Sequence, residues 1–103
     1  MSEINRSAKS QYQAVSTTDP TTIITVPDGQ TFFLTDVEFG SSAGNADVTI
    51  KIGTTTVARL LSLQGLGRHV NLRAPWRGPA GGDVTVTLGS AIATHITIGG
   101  YFV

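Results

Sequence analysis

From Pro20 to the C-terminus, apolar residues recur at alternate positions in short runs, and Gly, Pro, Asn and Asp separate the runs. A period of two puts successive side chains on opposite faces of an extended chain, so the pattern predicts strands with one buried and one solvated face. Residues 22–26 form the first run. Pro27, Asp28 and Gly29 then make a turn in which Pro presets φ and Gly accepts a positive one. Residues 31–39 are the second run, followed by a loop of small residues at 40–45. Residues 47–52 alternate cleanly, with Val48, Ile50 and Ile52 on one face. Further runs follow at 56–63, at 69–72 with Val70 and Leu72 inward, and at 83–88 through Val84, Val86 and Leu88. Residues 75–82 hold two prolines and three glycines and read as a loop. The last run, 95–103, points Ile96 and Ile98 inward and breaks at Gly99 and Gly100.

No segment offers ten residues of helical periodicity, and threonine stands opposite the apolar positions, where a β-branched polar side chain suits a solvated strand face. The expected fold is all-β: a single antiparallel β-sandwich of seven or eight strands. A jelly roll is favoured over an immunoglobulin-like sandwich, because the count approaches eight and no Cys–Trp–Cys arrangement is present. Residues 1–20 are polar, with neither a helical stripe nor strand alternation, and are expected to form an extended N-terminal arm ahead of a sandwich domain at 21–103.

One run departs from simple alternation. Within residues 31–39, strict period two places Phe33, Val37 and Phe39 on one face and Phe32 and Leu34 on the other, beside Asp36 and Glu38. That arrangement would leave Phe32 and Leu34 partly wet in a monomer. They are therefore expected at a subunit contact, since exposed apolar patches mark interaction sites, unless an arm or loop covers them.

At 103 residues there is room for one domain. The net charge is zero, which argues against a general nucleic-acid binder. Charged residues make up 14% of the chain, against about 25% in ordinary soluble domains, so few charges oppose association. A homo-oligomer is expected. There is no cysteine, so disulfides, thiolate metal sites and thiol nucleophiles are excluded. The first ten residues lack the apolar core of a secretory signal, and no apolar run approaches the ~20 residues that would span a bilayer. The expectation is a protein made in a cytoplasm that stays soluble or leaves without a signal, for instance inside a virus particle released by lysis.

Chemistry is hard to build from this sequence. Gly40, Ser42 and Gly44 match a G-x-S-x-G nucleophile pattern, and Ser42, Asp83 and His95 even follow the order of a hydrolase triad. A nucleophile elbow joins a strand to a helix, however, and here a second strand is predicted after the loop. His69 and His95 each lack a second ligand at metal spacing. Asp28, Asp47 and Asp83 lie at turns or strand starts, where Asp bonds nearby backbone N–H groups. Gly65 and Gly67 lack the third glycine and following helix of a phosphate-binding loop. No catalytic residue, metal or cofactor is expected.

Charge distribution is more informative. No acidic residue falls between Asp47 and Asp83, whereas Lys51, Arg59, Arg68, Arg73 and Arg77 all do. These cations either point in several directions and stay solvated or form a basic face that docks on an acidic partner surface, a task that suits the planar guanidinium. Trp76, between Pro75 and Arg77, either joins that contact or plugs one end of the sandwich.

The stretch Leu72-Arg-Ala-Pro-Trp-Arg-Gly-Pro-Ala-Gly-Gly-Asp-Val-Thr-Val-Thr-Leu88, with the closing Thr97-Ile-Gly-Gly-Tyr-Phe-Val103, resembles small β-sandwich virion proteins of tailed bacteriophages. The segment from Ile24 to Phe39 is similar to them too. The resemblance covers residues 22–103 and is one of strands and loops, without a diagnostic motif. It implies a head decoration or cement protein, or a small head or tail appendage, often trimeric. The partner would be the major capsid protein or another virion protein, with neither nucleic acid nor membrane, and the location the virion. Contact residues expected on the grounds above are Phe32, Leu34, Arg59, Arg68, Arg73, Trp76 and Arg77. The rival reading is a carbohydrate- or receptor-binding module of a fibre, with Trp76 and Tyr101 stacking on a sugar.

Overall fold

A computed structural model describes the backbone of residues 7–103 and the side chains from Lys9 onward. Eight strands run in the order β1 (Ser7–Val15), β2 (Thr21–Ile24), β3 (Phe32–Gly40), β4 (Ala46–Ile52), β5 (Thr55–Ser62), β6 (Arg68–Arg77), β7 (Val84–Leu88) and β8 (Thr94–Phe102). They pair antiparallel into two four-stranded sheets, β1-β8-β3-β6 and β2-β7-β4-β5. Only β4 and β5 form a hairpin within one sheet, and every other connection crosses to the opposite sheet. That is the jelly-roll order.

Alternation explains the core. Val48, Ile50 and Ile52 from β4, Val84, Val86 and Leu88 from β7, and Ile96 and Ile98 from β8 point between the sheets and are fully or almost fully buried. Thr49 and Lys51 pair with Thr87 and Thr85 on the outer face of the second sheet, where threonine dominates as the pattern predicts. Every buried side-chain nitrogen and oxygen among the described residues has a hydrogen-bond partner.

Three expectations need correction. First, Phe32 and Leu34 are both 0% exposed and belong to the core. A β-bulge between Leu34 and Asp36 inserts Thr35 as an unpaired residue, and the alternation changes phase there. Phe32, Leu34, Val37 and Phe39 consequently all face inward. Phe33 turns outward and stacks on Tyr101, with ring centroids 5.1 Å apart and planes 8° apart. Second, the polar stretch read as an arm, whose residues 1–6 lie outside the described residues, supplies an edge strand: Ser7 through Val15 pair continuously with Phe102 through Thr94. The positions that share its inward parity are Lys9, Gln11, Gln13 and Val15, and only Val15 is apolar and buried, so no alternation announced it. Third, β6 continues through Pro75 and Trp76 to Arg77, and β8 runs unbroken through Gly99 and Gly100. Those glycines are there for clearance. A side chain on Gly100 would strike the Phe33 carbonyl and the Phe32 ring, and one on Gly99 would strike the Asp36 carboxylate.

Candidate interaction surface

The alternating connections place the β1–β2, β3–β4, β5–β6 and β7–β8 loops together at one end of the sandwich. Hydrogen bonds tie the last three to one another. Ser41 donates its hydroxyl to the Ala93 carbonyl at 2.6 Å and accepts from the Ala43 N–H at 3.1 Å. The Gly65 N–H donates to the Ser41 carbonyl, and the Gln64 N–H donates to Asn45 Oδ1. Gln64 Nε2 reaches the Ser42 carbonyl at 3.0 Å. The tight Gly65 turn, with φ at 76°, makes this return possible.

Two adjoining hollows open at this end. The larger, about 320 Å³, lies among Tyr12, Val15, Ser41, Ser42, Thr94 and His95; the smaller, about 170 Å³, lies among Ser41, Ser42, Leu66 and His95. No Asp, Glu, Lys or Arg lines either hollow. Leu66 is more than half exposed, as are Leu61 near the end of β5 and Leu63 just after it. These leucines and Tyr12 were not singled out from sequence. Leucines at the end of a strand and in a turn look like core residues until the sheet order shows which end they occupy.

Ser42 and His95 thus line the same hollow, but Asp83 is at the other end of the molecule. There its carboxylate accepts the Val26 N–H at 2.9 Å and its carbonyl accepts the Gly53 N–H at 2.9 Å. The three residues of the triad-like order do not converge. Asp83 instead ties the β6–β7 loop to the start of the β2–β3 loop and to the β4–β5 turn. His69 Nε2 lies 3.5 Å from Asp36 Oδ2 on the outer face of the first sheet, both groups solvated. No cluster of three or more His, Cys, Asp or Glu with metal-binding geometry occurs among the described residues.

The cations of the middle segment point in several directions. Arg59 lies on the outer face of the second sheet, 3.2 Å from Asp47, whose hydrogen bond and charge hold the guanidinium further above its ordinary range. Arg68 opens β6 and donates to the Leu61 carbonyl at 2.9 Å, crossing between the sheets. Arg77 pairs with Phe33 on the outer face of the first sheet. Arg73 falls in a four-residue stretch of β6, from Leu72 to Pro75, that has no partner on β3. Trp76 pairs with inward-facing Leu34 at the sandwich edge and stays 37% exposed. Arg73, Trp76 and Arg77 are therefore brought together on one exposed edge strand, with Arg68 at its far end and Arg59 on the other sheet.

No protein-family profile matches the sequence, and no curated protein matches it. Solved structures do share its fold. The coat protein of tobacco streak virus superposes with a TM-score of 0.56 at 12% identity, over 97% of this chain and 87% of its own. The capsid of cyanophage Pam1 gives 0.52 at 14% identity, over 94% and 84%. The Drosophila NLP core, a pentameric histone-binding protein, gives 0.54 at 16% identity, over 92% and 98%. At these identities the likeness establishes the jelly-roll fold alone.

Proposed function

We propose that this chain is a non-catalytic structural protein of a phage virion, a decoration or cement protein that docks on the major capsid protein and stabilises the particle. One observation carries the reading: the eight strands pair in the order of a jelly roll whose structural neighbours include a viral coat protein and a phage capsid. The sparse charge and the threonine-rich outer face of the second sheet are consistent with a molecule packed among neighbours. Phe32 and Leu34 take no part in docking, because the core consumes them. The contact falls instead to Arg73, Trp76 and Arg77 on β6, with modest affinity at each site multiplied over a repeating shell.

The test is quantitative peptide mass spectrometry of purified virions, followed by rebinding of the recombinant protein to stripped particles. Copy numbers in fixed ratio to the major capsid protein, with weaker rebinding by an Arg73→Glu/Arg77→Glu variant, support the reading. Absence from virions sinks it.

A second reading, a carbohydrate- or receptor-binding module, is favoured by the uncharged hollow in which Tyr12, Ser42 and His95 converge, rather than by Trp76. Glycan binding that survives Trp76→Ala and is lost on Tyr12→Ala would support it.

A further inference from the structure

A sandwich of two open sheets has four edges, and an unpaired strand edge is a template for another strand unless something blunts it. Three of the four are blunted. β6 carries Arg68, Arg73 and Arg77, contains Pro75 and loses register with β3 between Asn71 and Trp76. β2 has four residues, follows Pro20 and is irregular between Thr22 and Ile24. β5 carries Arg59 and is interrupted by Val57, which has no partner in the ladder between Thr56 and Ala58. β1 is different. It has nine residues, pairs with β8 without a register shift, contains no proline and carries a single charge, Lys9. Among the described residues no strand pairs with its outer edge.

We propose that β1 is a self-association edge, and that its occupant is β1 of a second copy, added antiparallel about a twofold axis at Tyr12. The residues select this partner and register. Antiparallel strands keep paired side chains on one face, so a twofold pairing must match positions of the same parity. With Tyr12 opposite Tyr12, Gln11 meets Gln13, Ser10 meets Ala14, and Lys9 meets Val15. The two Lys9 charges are kept at opposite ends of the pairing. The Tyr12 rings, 59% exposed in the single chain, cover each other, and aromatic pairs are among the most favourable cross-strand neighbours. The result is one continuous eight-stranded sheet, β6-β3-β8-β1 followed by its symmetry copy. The interface is isologous, so it closes at two chains. It does not depend on the proposed virion role.

Sedimentation equilibrium at loading concentrations up to about 1 mM tests the pairing. The expected species is a dimer of the 10.8 kDa chain. Tyr12→Lys, which sets two like charges face to face on a side chain that is mostly solvated, should return it to a monomer with unchanged circular dichroism. Because the chain has no cysteine, Tyr12→Cys supplies an independent register test: it should form a disulfide-linked dimer on mild oxidation, whereas Arg73→Cys on the opposite edge should not. A wild-type monomer or trimer overturns the proposal. So does a Tyr12→Lys variant that remains dimeric, or equal cross-linking at residues 12 and 73. If Tyr12→Lys fails to fold, the cysteine pair decides.

Discussion

Gly78→Ala is the substitution for which the structure gives the sharpest expectation. Gly78 follows β6, is buried, and passes directly over Ile52 at the end of β4. A methyl group there would overlap Ile52 Cγ2 and lie 2.7 Å from Ile52 Cβ and 3.1 Å from Cδ1. Rotation of Ile52 about χ1 moves the branches but not Cβ, so the backbones of β4 and of the segment after β6 must separate. Overpacking of this kind costs about 1–3 kcal/mol, and the immovable Cβ contact puts Gly78→Ala at the upper end. Separation also strains the Gly78 N–H bond to the Phe32 carbonyl, 3.0 Å long, which adds about 1 kcal/mol. A loss of about 3–4 kcal/mol is a large part of the 5–15 kcal/mol that a domain of this kind possesses. It should lower the melting midpoint by roughly 12 °C or more.

Urea unfolding followed by far-UV circular dichroism, at one fixed protein concentration, measures the loss. Two glycines serve as controls. Gly67 has open space around it and no positive φ, so Gly67→Ala should be neutral or stabilising by a few tenths of a kcal/mol, roughly. Gly65 also has open space but φ of 76°, so Gly65→Ala should cost only the left-handed strain, about 1–2 kcal/mol. Ile52→Ala removes Cγ2 and Cδ1 but keeps Cβ, so in that background Gly78→Ala should cost less, with the part due to the Cβ contact remaining. An equal cost in both backgrounds would refute the packing argument.

Phe32→Ala should cost about 3–5 kcal/mol by opening a core cavity, and should leave the sedimentation mass of the folded fraction unchanged; a change of oligomeric state without loss of stability would restore Phe32 to the surface. Ser41→Ala should cost about 0.5–1.5 kcal/mol, seen as a lower urea midpoint, because it removes the hydrogen bond that ties the β3–β4 loop to the Ala93 carbonyl. Arg59→Ala should leave the thermal midpoint within experimental error, since its ion pair with Asp47 is solvated and screened.

Particular residues show how far sequence reasoning reached. The runs ending at Ile52 and Leu88 alternate without interruption, and the inward faces inferred from them match the buried ones. The run from residue 31 to 39 failed at a single position, because an unpaired residue at Thr35 exchanges the two faces and nothing local marks it. The edge strand at Ser7–Val15 left even less trace: β8 supplies its partner from the far end of the chain, so its ladder did not require apolar side chains. The candidate site was less legible still. Tyr12 and His95 are separated by most of the sequence, and only the β1–β8 pairing sets them around one hollow.

By itself, the sequence determined that the fold would be an all-β sandwich, because period two and the turn residues act over a few positions and are written where they act. It also removed thiol chemistry outright. Only the tertiary structure decided which strands neighbour one another, which edges stay open, and where a bulge reverses inside and outside. Those depend on pairings between distant segments, whose hydrogen bonds join backbone atoms that every residue shares. For the same reason, Ser42 and Asp83, two members of the triad-like order in the sequence, stand at opposite ends of the folded molecule.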